Sequence, residues 1–283
     1  MKLQQVLGRV RKAVDDYKMI DEGDRIAVGI SGGKDSLTLL YALAMLRKFY
    51  PLKFDIEAVT VDLGFRPGAD YSPIKAFCEA LGVNYTIVPT EIAEIVFNAR
   101  KEPNPCALCA TLRKGALNNC IEKLNCNKVA YAHHKDDIVE TFLMSLIYEG
   151  RLHSFSPVTF LDRKKVTVIR PLMYMNESDV IGFKNLYNLP VVKNPCPADG
   201  VTKREYVKEL TRHLNKESAG ASERIFTAVI NGNLPGWPIR ETGKRSYPEA
   251  EGKPENTTAE GNILDSAVSK SPDISEASGP SLM

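Results

Sequence analysis

Short apolar runs of strand length alternate with longer stretches at helical spacing along most of the chain. Leu3, Val6, Leu7, Val10 and Val14 recur on one face and predict a helix over Leu3–Ile20, ended by Asp21-Glu22-Gly23-Asp24. Arg25–Ile30 reads as a buried strand, Asp35–Tyr50 as a helix stopped by Pro51, and Ile56–Val61 as a second strand. Pro73–Leu81 is a predicted helix with proline at its start and Gly82 beyond its end, followed by a strand at Asn84–Val88. Ala107–Leu124 is helical, Lys128–Ala132 a strand and Asp136–Tyr148 a helix. Val158–Phe160 and Val166–Ile169 form a hairpin or one strand with an irregular lead-in, and helices follow over Asn176–Leu189, Thr202–Leu214 and Ser222–Ile230. Strands alternating with helices predict an α/β fold, a parallel sheet flanked by helices on both faces, with C-terminal helices after it.

From about Ser246 the pattern gives way to Pro, Glu, Ser, Thr, Asn and Gly with few large apolar residues. Residues 1–240 are therefore expected to form the folded domain and 246–283 a disordered tail. The chain has 283 residues, 43% of them hydrophobic, which suffices for a full-sized core. Lys and Arg together number 37 against 35 for Asp and Glu, so a polybasic, histone-like protein is excluded. Acidic residues concentrate from Glu241 onward, leaving a moderately basic body that suits a polyanion such as RNA. No apolar run reaches the ~18 residues of a membrane span. The start, Met1-Lys2-Leu3-Gln4-Gln5-Val6, lacks a signal-peptide stretch, so a cytoplasmic protein is expected.

The sharpest local signal is Ser31-Gly32-Gly33-Lys34-Asp35-Ser36, set between the strand ending at Ile30 and the helix that follows. Two glycines let the backbone turn tightly and present N–H groups, and the helix N-terminus adds a positive dipole end. Lys34 supplies a point charge, the serines supply hydroxyls, and Asp35 either orients Mg²⁺ or caps the helix. The spacing is that of neither a Walker A loop nor a dinucleotide fingerprint.

Six cysteines in a chain of this length do not suggest a disulfide scaffold, and a close pair in a reducing compartment points to metal or redox chemistry. Cys106 and Cys109 open a helix as Cys-x2-Cys, where the dipole is expected to lower their pKa. Cys196 lies between Pro195 and Pro197 and is a third candidate. Three thiolates suit an iron–sulfur cluster with one iron left open, and equally zinc with a fourth ligand from elsewhere. Cys78 and Cys120 fall on apolar helix faces and read as packing, while Cys126 is ambiguous. His133-His134-Lys135-Asp136-Asp137 follows a strand at the end of the sheet where open α/β folds bind ligands. Asp136 and Asp137 can hold Mg²⁺ or simply complement the helix dipole, and His133 and His134 contact a nucleotide or pack. Asp62 ends the second strand, near the expected nucleoside position.

The Ser31–Ser36 loop resembles the pyrophosphate loop of the N-type ATP pyrophosphatases, which cleave ATP between the α and β phosphates. Two longer segments, Pro105–Leu117 and Ala132–Thr141, resemble the tRNA 2-thiocytidine biosynthesis proteins, and the likeness runs from the opening helix to about Ile230. That resemblance implies an adenine nucleotide alpha hydrolase-like fold and a [4Fe-4S] cluster on Cys106, Cys109 and Cys196. It implies ATP contacts from Ser31, Gly32, Gly33, Lys34, Asp35, Ser36, Asp62, His133, Asp136 and Asp137, with Mg²⁺ on Asp137. Lys34, Asp137 and Arg113 become the candidate catalytic residues. The implied reaction adenylates the C2 oxygen of a cytidine in the tRNA anticodon loop (position 32 of the tRNA) and replaces it with sulfur. The implied partners are tRNA, ATP and a sulfur donor, either a cysteine desulfurase or sulfide, and a homodimer is left open. Arg9, Arg11, Lys12, Arg47, Lys48 and Arg163-Lys164-Lys165 are candidates for the tRNA backbone. Three other readings stay in play: a uridine 2-thiolase of the same superfamily, a lysidine-type ligase, and a non-catalytic, metal-stabilised RNA binder.

Overall fold

Alternation along each strand sends successive side chains to opposite faces of a sheet, and both faces here are apolar. A computed structural model of the chain describes residues 1–66, 68–100, 105–192, 196, 203–234 and 236–238. The opening helix α1 (Leu3–Asp16) leads to β1 (Asp24–Gly29), α2 (Lys34–Leu46), β2 (Phe54–Asp62), α3 (Ser72–Ala80) and β3 (Asn84–Pro89). A π-helical turn at Glu94–Ala99 precedes α4 (Pro105–Lys123), β4 (Lys128–Ala130) and α5 (Lys135–Glu149). The hairpin strands β5 (Val158–Leu161) and β6 (Val166–Ile169) come next, then α6 (Glu177–Leu186), α7 (Lys203–Glu217) and α8 (Ala221–Asn231). The chain divides into two units, Met1–Gly243 and Lys244–Met283. The second unit, and with it the expected disordered tail, lies outside the described residues.

The six strands run in the order β3-β2-β1-β4-β6-β5. All neighbours pair in parallel except β5, which pairs antiparallel with β6 and closes one edge. The α/β architecture with a parallel sheet covered on both faces is the one the periodicity predicts. Ile26 and Val28 of β1, Ile56 and Ala58 of β2 and Ala130 of β4 join one core with α1, α2, α5, α6 and α8. The intervening residues, Ala27, Val59 and Val129, turn the other way and pack with Leu117, Cys120 and Ile121 of α4. Cys78, Cys120 and Cys126 are all buried in these cores, so the ambiguity over Cys126 is settled in favour of packing. Among the described residues no helix is long and apolar enough to cross a membrane.

Several boundaries differ from the pattern, the end of the first helix for a visible local reason. The first helix stops at Asp16, not Ile20, because Lys18 takes a left-handed turn (φ 45°) that returns the Met19 N–H to the Val14 carbonyl at 3.0 Å. Met19 and Ile20 stay buried, so the apolar periodicity outlasts the helix. The π-helical turn at Glu94–Ala99 falls where no element was expected.

A buried charge fixes the start of β4. The Lys128 ammonium is almost enclosed and contacts Asp24 Oδ2 and Asp21 Oδ2, each at 2.7 Å, and the Met19 carbonyl at 3.1 Å. Asp24 is 3% exposed and also accepts from Asn127 Nδ2 at 2.7 Å and from the Asp21 N–H at 2.6 Å. These bonds tie the strand-entry loops at one end of the sheet. Lys128→Met strands the Asp24 carboxylate and is expected to lower stability by about 3–5 kcal/mol. Asp21→Asn, at an exposed partner, is expected to change it by less than about 1 kcal/mol. Urea unfolding midpoints of the two variants check the contrast.

Candidate active site

The chain leaves β1 at its C-terminal end and turns into α2 through Ser31, Gly32 and Gly33. Gly32 has φ 80°, a conformation that penalises any side chain, and a Cβ there would stand 3.3 Å from Val192 Cβ. The strap carrying Val192 lies over the loop and its N–H donates to the Gly32 carbonyl at 2.9 Å. Ser36 is buried and shapes the loop from beneath. Its hydroxyl accepts from the Ser31 N–H at 3.2 Å and donates to the Gly33 carbonyl at 3.0 Å. Ser31 Oγ in turn accepts from the Gly33 N–H at 3.3 Å. The loop is thus held in shape by its own groups.

The loop forms one wall of a cavity of about 950 Å³, whose other walls include Thr60, Val61, Asp62, Tyr71, Arg113 and Val192. Its place, beyond the carboxyl ends of β1 and β2, is where open parallel sheets bind nucleotides. Asp62 is partly tied down: Oδ1 accepts from the Gly64 N–H at 3.0 Å, and the Tyr71 phenol, also hydrogen-bonded to Asp62, is pushed up to about 12 by burial and by that carboxylate.

Lys34 lies between two carboxylates, 3.1 Å from Asp35 Oδ2 and 3.2 Å from Glu177 Oε1. Burial works against its charge, but the two carboxylates outweigh it and its pKa stands above the ordinary lysine value. Glu177 also meets Lys208 at 2.8 Å, and although burial opposes its charge, the two lysines hold it below the usual carboxylate range. The second carboxylate oxygen of Asp35, Oδ1, is buried without a hydrogen-bond partner, and His134 Nε2 stands 3.7 Å away.

The acidic pair at the start of α5 is engaged locally. Asp137 Oδ2 accepts from the His134 N–H at 2.9 Å while the Asp137 N–H donates to His134 Nδ1 at 3.4 Å, a reciprocal helix cap. Asp137 Oδ1 faces Arg204 at 3.5 Å. Asp136 Oδ2 accepts from the Glu177 N–H at 2.7 Å. Neither carboxylate lines the loop cavity. The expectation of Mg²⁺ on Asp137 therefore meets a side chain occupied by capping and by Arg204, whereas the open oxygen belongs to Asp35. Among the described residues no three His, Cys, Asp or Glu side chains already form a metal-holding group.

A second cavity of about 390 Å³ adjoins the first and shares Ile30, Val61 and Arg113 with it. Cations dominate its rim: Arg113, Lys114, Arg170 and Arg204. His133, expected to contact a nucleotide or pack, lines this cavity. Arg170 is 9% exposed, and burial pulls its guanidinium down to about 10, so it stays charged at neutral pH. It donates to the Ser156 carbonyl and, from Nε, to His133 Nδ1 at 3.3 Å, and it lies 4.9 Å from the centre of the Phe155 ring. Burial and then the Arg170 charge pull His133 down to about 3.

Cys106 is exposed, and Cys109 and Cys196 are partly buried. The Cys109 thiol also feels Arg113, Cys196 and Cys106 electrostatically. Burial raises the Cys109 thiol, and Arg113 only partly offsets it. The expected helix-terminus lowering is overridden by desolvation at this residue. Ala110, next to Cys109, already lines the second cavity.

The basic residues singled out for tRNA fare differently. Arg9 pairs with Asp179, Arg11 with Asp15 at 3.3 Å and Lys12 with Asp16 at 3.0 Å, so α1 offers little uncompensated charge. Arg47 donates to the Gly82 carbonyl at 3.0 Å. Lys48 and the run Arg163-Lys164-Lys165 are exposed, and Arg113, Lys114, Arg170 and Arg204 line the second cavity. Glu177, Lys208, Arg170 and Arg204 were not singled out as site residues by sequence, because each is an isolated polar residue that only folding brings to the loop and to α5.

The PP-loop domain matches residues 3–214. The tRNA-cytidine(32) 2-sulfurtransferase of Pelobacter propionicus is 40% identical over 225 residues, covering 78% of this chain and 83% of its own. That of Pseudomonas syringae is 37% identical over 233 residues, covering 81% and 85%. Among solved structures, the U34-tRNA thiolase NcsA of Methanococcus maripaludis with its [4Fe-4S] cluster is similar at TM-score 0.68 and 28% identity, over 81% of this chain and 78% of that one. NMN synthetase of Francisella tularensis, at TM-score 0.50 and 16% identity over 82% and 95%, shares the fold alone. With its glycine loop, its cysteine helix and these relatives, the chain belongs to the PP-loop family and, within it, to the tRNA-cytidine(32) 2-sulfurtransferases.

Proposed function

We propose that this protein is an ATP-dependent sulfurtransferase that replaces the C2 oxygen of a tRNA cytidine with sulfur, the activity its curated relatives are named for. The observation that carries the reading is the shared wall between the two cavities. Arg113 faces both the loop cavity and the cation-rimmed one, and it lies one helical turn from Cys109. A nucleotide triphosphate and a target base can therefore meet across a single guanidinium, beside the thiols. The work is assigned to residues 1–240.

The chemical difficulty is that oxide leaves carbon poorly. Attack of the base C2 oxygen on the α-phosphorus expels pyrophosphate and turns that oxygen into part of AMP. Sulfur then adds at C2, the carbon–oxygen bond breaks, and the oxygen departs with AMP. Lys34, the loop N–H groups and Arg113 lie where charge builds on the phosphates, and preorganised donors of this kind supply much of such rate enhancement. Lys34 is held in place before substrate by Asp35 and Glu177, so ATP phosphates compete with carboxylates for a cation already aimed at them. The buried, unpartnered Oδ1 of Asp35 suits a hard cation such as Mg²⁺ bound with the phosphates.

Cys106, Cys109 and Cys196 fit a [4Fe-4S] cluster as its ligands. Their thiols influence one another electrostatically, and three thiolates suit such a cluster with one iron left without a protein ligand. When bound, a cluster with three protein ligands supplies one iron able to take sulfur from a donor. We assign delivery of that sulfur to free sulfide, or to a cysteine desulfurase whose persulfide an external thiol reduces to sulfide, itself becoming a disulfide.

Nucleoside mass spectrometry of tRNA from a deletion strain is expected to show loss of 2-thiocytidine, and an unchanged thionucleoside profile overturns the reading. Lys34→Ala is expected to lower the rate of ATP-dependent thiolation by about 10²–10³-fold with the fold intact. Cys106→Ala is expected to abolish iron and acid-labile sulfide in anaerobically prepared protein, and tRNA affinity measured by filter binding is expected to stay within about twofold.

A further inference from the structure

The second cavity has chemistry that ATP and the cysteines leave unexplained: a buried guanidinium facing a histidine whose proton it dictates. Arg170 is charged, so its Nε–H must donate, and His133 Nδ1 must offer a lone pair to receive it at 3.3 Å. A neutral imidazole carries one proton, and that proton is then on Nε2. The ring stays neutral because burial and the neighbouring Arg170 pull His133 down to about 3. It is also held between rings, with Phe155 tilted by 34° at 4.5 Å between ring centres and Tyr131 edge-on at 5.8 Å. Arg170 takes Nδ1 and the residue lines the cavity, which leaves Nε2–H as the donor for a ligand bound there.

Cavity size and lining narrow what that ligand is. About 390 Å³ accommodates a nucleotide. Phe155, Tyr131 and His133 offer aromatic surface, and Arg113, Lys114 and Arg204 offer cations for the flanking phosphates. Resting on the sulfurtransferase reading above, the geometry points to His133 as the specificity-determining residue for the target base, its Nε2–H donating to cytosine N3. Cytosine presents an acceptor at N3, whereas uracil presents N3–H, which sets donor against donor. Arg170 acts through His133 as a positioning residue, since it alone dictates which imidazole nitrogen carries the proton. The C2 oxygen, adjacent to N3, is then directed to the wall shared with the ATP cavity, where Arg113 stands.

The test uses cluster-reconstituted full-length protein with α,β-methylene-ATP and anticodon stem-loop RNAs. The RNAs carry cytidine, 3-deazacytidine or uridine at the target position, and binding is read by fluorescence anisotropy. Removing the N3 acceptor leaves the His133 donor unmatched, so 3-deazacytidine is expected to bind at least about fivefold more weakly than cytidine, and uridine at least as weakly. His133→Phe keeps the ring contact with Phe155 and is expected to bring both ratios close to one, whereas His133→Gln, which retains an N–H donor, is expected to preserve part of the preference. Arg170→Met is expected to shrink the ratios as His133→Phe does, a change that general loosening of the cavity would not produce. Equal binding of cytidine and 3-deazacytidine by the unmodified protein overturns the proposal. So does a His133→Phe variant that keeps the unmodified protein's ratios. Thiolation of the cytidine RNA with ATP and sulfide is followed separately. If it fails while the binding preference holds, the sulfurtransferase reading falls and the assignment of His133 stands.

Discussion

A site that binds phosphates must hold several cations close together before any anion is present, and the fold of this protein is arranged around that constraint. Two solutions operate side by side. At the loop, Lys34 is restrained by Asp35 and Glu177, and Glu177 is itself restrained by Lys208, so the charges balance in the ligand-free protein. At the second cavity, Arg170 has no carboxylate among its contacts within the described residues and is satisfied by a carbonyl, a hydroxyl and the Nδ1 of a neutral histidine. Balanced charge can be displaced by an incoming phosphate. Unbalanced buried charge leaves a positive field in the cavity and decides the protonation of its neighbour.

The sheet makes this arrangement possible. β1 and β2 end next to one another, so the loop after β1 and the Asp62 corner after β2 open onto one cavity. β4 ends on the other side of β1 and delivers Tyr131 and His133 to the second cavity, with Arg170 following β6. α4 crosses the opposite face through Leu117 and Ile121 and carries Cys109, Ala110, Arg113 and Lys114 on its first turns. Arg113 ends up as the common wall because one helix spans the mouths of both cavities.

Helix caps and ligand sites use the same residue types, and this is where reading from local pattern loses resolution. Asp35, Asp136 and Asp137 all stand in first helical turns. Asp137 closes a reciprocal cap with His134 and faces Arg204, Asp136 holds the start of α6, and only Asp35 keeps a buried oxygen open. Nothing in the acidic spacing separates these three outcomes, because each depends on what a distant segment brings alongside. The Cys109 thiol shows the same limit: a helix start predicts a lowered pKa, and burial by the surrounding chain reverses it.

Sequence by itself determined the strand–helix alternation, the parallel sheet with two apolar faces, the glycine loop and the cysteine helix. All of these rest on short-range spacing, on side chains two, three or four residues apart or on a turn that only glycine makes readily. The tertiary structure alone decided that Glu177, itself held by Lys208, restrains Lys34, and that Arg170 meets His133. Each of these is a meeting of segments far apart in the chain, and electrostatic contacts between single polar residues leave no periodic trace that a sequence could display.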